Sequence, residues 1–424
     1  MKVLAFAQNQ YRTFPADFQD KHEGTVTTPW SLADSSEVQA AFRDYLDYIM
    51  HAARLGFDGV AFTEHSQTTY DMVPNPSLVA SAIAYATETE GLEVAVYPVG
   101  RSLGKSREPV RVAEEYAMID CISGGRLVAG FPVGLMFDAA INNGVPPIEV
   151  RQRFEENLPL VLRAWRDKEP FAWNGRFSKL PSVNIWPRPL QQPSPAVWVT
   201  GIGNPTTIRL ALENNFGFNY FGWVGTRLTA KRVMGRFWDL ASKLDVPANP
   251  YRVAFIQSVC VGETDADAER RYGPHIEYFF NKGPGATRIE KIAIPGSISL
   301  PGIKFLLEDQ GGDFGFSHEM RHARLGKILE VGAAIVGSAQ TVADHLAEFA
   351  RENRVGNYLV MLKIGSMPPD LVEENLKRFV EGVLPKLRTL WTDQPWDHCW
   401  WPARLGGKPA AAGMKLAVPA EVRR

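Results

Sequence analysis

The sequence predicts an α/β protein, a closed (β/α)8 TIM barrel, on three observations. Short apolar runs alternate with stretches of helical periodicity along most of the 424 residues, and eight such strand-helix units can be counted. The second run, Val60 to Thr63, stops abruptly on two adjacent ionisable side chains, Glu64 and His65. Repeated βα units imply a parallel sheet with right-handed crossovers, and the number eight favours closure over an open sheet. Ligands in such proteins bind at the carboxyl ends of the strands, which is where Glu64 and His65 fall.

Local signals justify each element in turn. Val3 to Ala7 is a short buried strand whose exit presents Gln8, Asn9 and Gln10, and residues 11 to 34 lack periodicity and form a long loop. Ser36 with Gln39 makes a capping-box pattern, after which Val38, Phe42, Tyr45, Leu46, Ile49 and Ala53 recur at helical spacing. Leu55-Gly56 closes that helix with a tight turn into the second strand. Asn75-Pro76 supplies an N-cap and a first-turn proline for an Ala-rich helix reaching Glu88. Leu92 to Val96 is the third strand and leads into Tyr97-Pro98; Pro109 opens the next helix, which Ser123-Gly124-Gly125 stops. Leu127 to Phe131 is the fourth strand, and Phe154, Leu158, Val161, Leu162 and Trp165 line one face of the helix after it. A Pro/Trp-rich connection, Trp186 to Pro195, precedes the fifth strand, Ala196 to Thr200. Phe218 to Phe221, Val253 to Val261 and Tyr358 to Ile364 complete the set.

Two segments depart from the repeat. A long insertion, about residues 263 to 335, separates the seventh and eighth strands and is broken by Gly283-Pro-Gly285, Pro295-Gly296, Pro301-Gly302 and Gly311-Gly312. Loops of that length are usually lids or disordered. Residues 1 to 390 therefore make the barrel, and 391 to 424 an extension. In the extension Trp391, Trp396, Trp400 and Trp401 are expected to cap the barrel or a subunit contact ahead of a disordered tail.

Composition narrows the function classes. A formal net charge of −1 implies no nucleic-acid partner, since such binders carry a basic surplus. Cys121, Cys260 and Cys399 match no metal-ligand spacing and read as reduced thiols of a cytoplasmic protein. The amino-terminal apolar run is too short for a signal peptide, and no segment offers the roughly 18 apolar residues that span a bilayer. His318 and His322 stand one helical turn apart, yet no third ligand accompanies them, so no metal is expected.

Five stretches taken together resemble the bacterial-luciferase-like, flavin-dependent monooxygenase family. They are Gly56-Phe-Asp-Gly59 with Glu64-His65, Pro109-Val-Arg-Val-Ala-Glu-Glu115, Asp120-Cys-Ile-Ser-Gly-Gly-Arg-Leu127, Trp186-Pro-Arg-Pro-Leu-Gln191 and Val336-Gly-Ser-Ala-Gln-Thr-Val342. The resemblance implies FMN at the carboxyl ends of the strands, received in reduced form from a separate flavin reductase, and a homodimer; one branch uses a reduced deazaflavin instead. It places His65 at the family's catalytic histidine. Tyr97-Pro98 falls where the family carries an unusual cis peptide beneath the flavin ring, and since proline makes cis inexpensive, a cis bond is expected there. Val133 stands where luciferase supplies a phosphate-binding arginine, and Arg151, near another family arginine, is the candidate substitute; the plainer reading is a surface arginine at a helix start.

The residue chemistry agrees with that direction. An imidazole at a strand end titrates near neutral pH and suits proton transfer to activated oxygen. Glu64 orients the imidazole, contacts the flavin, or makes a structural salt bridge to a neighbouring helix. Gly201-Ile-Gly203-Asn204-Pro205-Thr206 presents backbone N–H groups at a helix start, a natural anion site. It is not a dinucleotide fingerprint, because Thr206 stands at the last glycine position and no ribose-binding acid follows. Asn9 is a further flavin or substrate contact, while Arg101, Lys105 and Arg107 either attract an anion or form a solvated loop. Tyr70, Phe137 and Trp223 suit an aromatic or apolar substrate, or an ordinary core. The resulting reading is a monooxygenase acting on a small organic substrate with reduced FMN and oxygen. A deazaflavin-dependent hydride-transferring oxidoreductase and a non-catalytic flavin-binding relative are the alternatives.

Overall fold

The computed structural model describes residues 1–283 and 322–408, apart from 23, 27 and 222–226, together with Leu300 and Lys304. Four strands come first: β1 (Lys2–Ala7), β2 (Gly59–Phe62), β3 (Ala95–Pro98) and β4 (Val128–Gly130). A hairpin follows, β5 (Phe171–Asn174) with β6 (Lys179–Val183), and then β7 (Ala196–Gly201), β8 (Gly217–Phe221), β9 (Val253–Gly262), β10 (Ala334–Ser338) and β11 (Asn357–Met361). The large sheet runs β3-β2-β1-β11-β9-β8-β7-β4, with every pairing parallel. A bridge between Val96 and Leu127, in which the Val96 N–H donates to the Arg126 carbonyl at 3.0 Å, brings β3 back to β4 and nearly closes the ring.

Around this barrel lie α1 (Ser35–Arg54), α2 (Pro76–Thr89), α3 (Pro109–Ile122), α4 (Pro147–Arg166), α5 (Pro205–Glu213), α6 (Arg227–Lys243), α7 (Asp265–Lys282), α8 (Ala339–Asn353) and α9 (Pro369–Gly382). The fold is the (β/α)8 barrel that the alternation predicts. Its strands are wholly buried runs because helices cover the outer face and side chains fill the inner one.

Several boundaries differ from the sequence reading. The α1 N-cap is Asp34, whose carboxylate accepts the Ser36 and Glu37 N–H groups, so the cap lies two residues before the expected Ser36. Gly56 takes φ +84° at the end of α1, as a glycine after a helix commonly does. β3 begins at Ala95 and not at Leu92, because the Leu92 N–H is drawn back to the Thr87 carbonyl in the turn that ends α2. Tyr97–Pro98 is trans, contrary to expectation; the cis bonds among the described residues are Trp186–Pro187 and Gln192–Pro193. Pro98 remains in register with Phe62, and the Val99 N–H donates to the Phe62 carbonyl at 2.8 Å, so the chain runs on extended there.

The hairpin β5–β6 and the strand β10 were not foreseen. β9 is ten residues long. Its first half pairs with β8 and β11, leaving Ser258 to Gly262 free to pair with β10. The long insertion is thus partly regular: α7 opens it, and helix Leu325–Glu330 with β10 closes it. Most of its middle, including His318, lies outside the described residues, as does the tail from 409.

The tryptophan-rich extension covers the amino-terminal end of the barrel. The Trp198 indole N–H donates to the Trp400 carbonyl at 2.8 Å, and the Trp400 indole to the Asn215 carbonyl at 2.9 Å. The Met1 ammonium donates to the Leu390 carbonyl. The Trp198, Trp391 and Trp400 indoles each find a carbonyl, Trp396 and Trp401 Nε1 have no hydrogen bond among the described residues, and the rings stay buried or half-buried.

Candidate active site

Glu64 and His65 follow β2 at the carboxyl-terminal mouth, and their environments are different. His65 is buried, with Nδ1 lying 2.8 Å from Asp138 Oδ2 and 2.7 Å from the Tyr70 hydroxyl. The other Asp138 oxygen accepts the Ser66 N–H at 2.7 Å. Tyr70 and Phe137 pack against the imidazole, with ring centroids 4.7 and 6.3 Å away. Burial pushes the Tyr70 phenol well above its usual range, so it stays protonated and acts as a hydrogen-bonding group. Nε2 makes no hydrogen bond among the described residues.

Asp138 sits on a single π-helical turn, Phe137–Ile141, a local irregularity frequently found at functional sites. It lies 73 residues from His65 in a stretch without periodicity, so nothing in the local pattern marks it as the histidine's partner. The two aromatics considered for substrate contact serve this histidine instead; Trp223 lies outside the described residues.

Glu64 does not touch the imidazole. Its carboxylate pairs with Arg101, approaches Lys105 Nζ at 3.5 Å and accepts the Ser102 N–H at 2.7 Å. Arg101 also pairs with Glu115 on α3, at 3.1 Å. The salt-bridge reading of Glu64 is therefore the one the geometry favours. The loop after β3 is tied to the end of β2 by its basic residues, and two of them, Arg101 and Lys105, are buried or nearly so, not solvated.

Buried polar atoms without partners gather at the same mouth. Gln8 Oε1, the side-chain amides of Asn9 and Gln10, and Ser258 Oγ have no hydrogen bond among the described residues, while the Tyr97 hydroxyl faces Thr200 and the Asn219 amide. They stand on or just beyond β1, β3, β8 and β9. Unmet buried polar groups are costly, and those at this mouth fit a polar ligand that would meet them. Below them, Asp71 accepts the Asn9 N–H at 2.9 Å and the Thr63 hydroxyl. Burial raises its carboxyl to about 6, against the opposing pull of His65.

The helix start after β7, where the sequence reading expects an anion, is built by a cap and a glycine turn. Asn204 caps α5, its side chain accepting the Thr206 N–H at 2.9 Å, and Gly203 takes φ +100° in the turn before it. A Cβ on Gly203 would fall 2.6 Å from Val233, so no larger residue fits. Arg151 on α4 reaches this helix start and donates to Thr207 Oγ1 at 3.2 Å, while its Nε is unpartnered and Glu155 is 3.8 Å away. Gly201, Gly203, Asn204, Thr206 and Arg151 are thus brought together at the exits of β4 and β7. Val133 packs in a small apolar cluster with Met136, Ala139, Val145 and Val150 and offers no charge. Substituting Arg151 by Met should weaken any binding of inorganic phosphate at this helix start roughly 10–100-fold through loss of a charged hydrogen bond, as read by calorimetric titration. Unchanged affinity would leave Arg151 only as a tie between α4 and α5.

The parallel barrel thus bears a histidine-carboxylate pair at one strand end and an arginine-backed helix terminus at another, both at its carboxyl-terminal mouth. The chain belongs to the luciferase-like monooxygenase family, whose model matches residues 23–355. It is 24% identical over 241 residues to the oxygenase component of flavin-dependent trigonelline monooxygenase from Acinetobacter baylyi, covering 56% of this chain and 64% of that protein. Limonene 1,2-monooxygenase from Rhodococcus erythropolis is 24% identical over 298 residues, covering 69% and 72%. Among solved structures, the oxygenating constituent of 3,6-diketocamphane monooxygenase from Pseudomonas putida, in complex with FMN, superposes with a TM-score of 0.63. That match is 19% identical and covers 91% of this chain and 98% of the other. An F420-dependent secondary alcohol dehydrogenase gives 0.64 at 16% identity, covering 91% and 99%. These likenesses establish the shared barrel. Among the described residues no helix is long and apolar enough to cross a membrane, and no group of three or more His, Cys, Asp or Glu could hold a metal.

Proposed function

We propose that the chain is the oxygenase component of a two-component flavin-dependent monooxygenase: a flavin reductase supplies reduced FMN, and oxygen is used to oxidise a small organic substrate. The observation that carries this reading is His65, held at Nδ1 and unengaged at Nε2, on the same barrel mouth as the Arg151 anion site. Arg151 and the start of α5, with Gly201, Gly203, Asn204 and Thr206, hold the phosphate. Asn9, Tyr97 and Asn219 meet polar edges of the ring, with Pro98 beside them. Bound reduced FMN supplies the electrons that activate oxygen. Asp138 takes the Nδ1–H, which leaves Nε2 to hold a proton and deliver it where oxygen reacts. Glu64 positions the histidine's loop through Arg101 and Ser102. Burial of these groups excludes water.

A homodimer accords with Leu78 and Tyr85 on α2 and Met118 on α3, which are 72%, 69% and 51% exposed on adjoining helices. A cytoplasmic location accords with three unpaired cysteines. Residues 1–390 form the catalytic unit and the extension its lower cap.

The test is anaerobic titration of the protein with reduced FMN, then admission of air while the oxidised-flavin absorbance is followed. Wild type should delay reoxidation relative to free reduced FMN, and His65→Ala should bind equally well yet lose the delay, by roughly 10²-fold or more. Binding of a reduced deazaflavin in place of FMN would transfer the site to hydride transfer. Binding without any effect of His65 would indicate a non-catalytic flavin carrier.

A further inference from the structure

The Gln8 side chain is held at one end and unmet at the other. Ala7, the last residue of β1, is in register with Phe62, the last of β2, so Gln8 and Thr63 stand abreast just beyond the two strands. Side chains alternate along a strand, which puts both on the side of Phe6, Ala61 and Tyr97, the row one step below. That side is the barrel interior, because the Tyr97 hydroxyl faces Thr200 on β7 and Asn219 on β8, strands that do not pair with β3. Gln8 and Thr63 are both buried there, and His65 follows two residues after Thr63.

The chemistry of three groups decides which end of the amide is unmet. Asp71 accepts the Asn9 N–H at 2.9 Å through Oδ1 and the Thr63 hydroxyl through Oδ2. With its carboxyl at about 6, Asp71 is ionised at neutral pH, and a carboxylate only accepts. The one proton of the Thr63 hydroxyl is committed to it, so Thr63 Oγ1 can only accept in turn. The Gln8 group that lies 3.5 Å from Thr63 Oγ1 is therefore its NH2, the donor end, and the carbonyl is the end left over. Gln8 Oε1 is buried and meets no donor among the described residues. A buried acceptor without a donor is costly, and the Thr63–Asp71 pair keeps the amide from turning over to relieve it. A ligand that brings an N–H or O–H to this point satisfies the carbonyl, whereas one that brings a bare oxygen sets two acceptors against each other. We propose that Gln8 is a specificity-determining residue, anchored through Thr63, whose side-chain carbonyl accepts a hydrogen bond from an N–H or O–H group of the bound ligand. Assigning that donor to a cofactor ring or to a substrate rests on the flavin-dependent reading above; the direction of the hydrogen bond does not.

The experiment is calorimetric titration of the full-length chain with three donors, each against a methylated twin that lacks the donor. The pairs are FMN with its N3-methyl derivative, phenol with anisole, and benzamide with N,N-dimethylbenzamide. At least one donor should bind about tenfold or more tightly than its twin, and Gln8→Met should abolish that preference by weakening the donor alone. A preference confined to the FMN pair places the donor on the cofactor ring, and one in either other pair places it on the substrate; both support the inference. Twins binding as well as donors, or no binding in any pair, overturns it without any variant. A preference that survives in Gln8→Met reports only the bulk of the added methyl and overturns it as well. Thr63→Val, which frees the amide to turn, should narrow the preference, while Thr63→Ser, which keeps the hydroxyl, should retain it; an undiminished preference in Thr63→Val overturns the anchoring. If FMN does not bind while phenol or benzamide is preferred through Gln8, the proposed function fails and this inference stands.

Discussion

Asp138→Asn should shorten the delay in reoxidation of bound reduced FMN roughly 10²–10³-fold while leaving FMN affinity nearly unchanged. The reason is the direction of one hydrogen bond. Asp138 accepts the imidazole Nδ1–H, which fixes the tautomer with Nε2 open, and it neutralises an imidazolium when Nε2 is protonated. An asparagine amide of the same shape can donate to Nδ1, which forces the proton to Nε2 and removes the compensating charge. The Ser66 N–H keeps an acceptor in the asparagine carbonyl, so the loop should stay in place. Asp138→Glu, which keeps the charge, should recover part of the delay, whereas a purely structural role predicts that Glu is as harmful as Asn or worse. The measurement is the reoxidation delay described above, alongside FMN affinity and thermal unfolding. Equal delay in Asp138→Asn and wild type would exclude Asp138 from the mechanism.

Lys363→Met should stabilise the protein by about 1–3 kcal/mol at neutral pH. The lysine's folded value, about 8, lies below its ordinary 10.5, and the difference corresponds to about 3 kcal/mol of destabilisation. The sign follows from which state binds the proton more tightly. Below about pH 8 both states are protonated and the cost is fully present; as pH rises from about 8 towards 10.5, the folded lysine gives up its proton first and the cost fades. The gap between variant and wild type should accordingly be widest below pH 8 and narrow above it, as followed by thermal unfolding across that range. Asp71, another buried charge facing Lys363, loses a favourable neighbour in the variant, which sets the lower figure. A destabilised variant would mean that the ammonium is compensated in the folded state.

Much of the architecture was legible because each barrel strand is a buried apolar run bounded by turn residues. Asn75-Pro76, Pro109 and Asn204-Pro205 start helices where capping chemistry places them. The hairpin β5–β6 was not legible: Phe171 to Asn174 and Lys179 to Val183 are mostly exposed, so no hydrophobic period marks them. β10 was missed for a different reason, since its place depends on β9 running past its other neighbours. The trans geometry at Tyr97–Pro98 is likewise a matter of strand pairing.

The sequence by itself determined the barrel, the strand end that carries His65, and the helix start at Asn204 with its glycine turn. These are local properties: an apolar run, a cap, a residue type allowed at positive φ. The tertiary structure alone decided that Asp138 and Tyr70 share Nδ1 of His65, that Glu64 is taken up by Arg101, and that Arg151 reaches α5. Each of those joins residues from different strands or loops. Closing the barrel sets their distances, and no spacing along the chain encodes them.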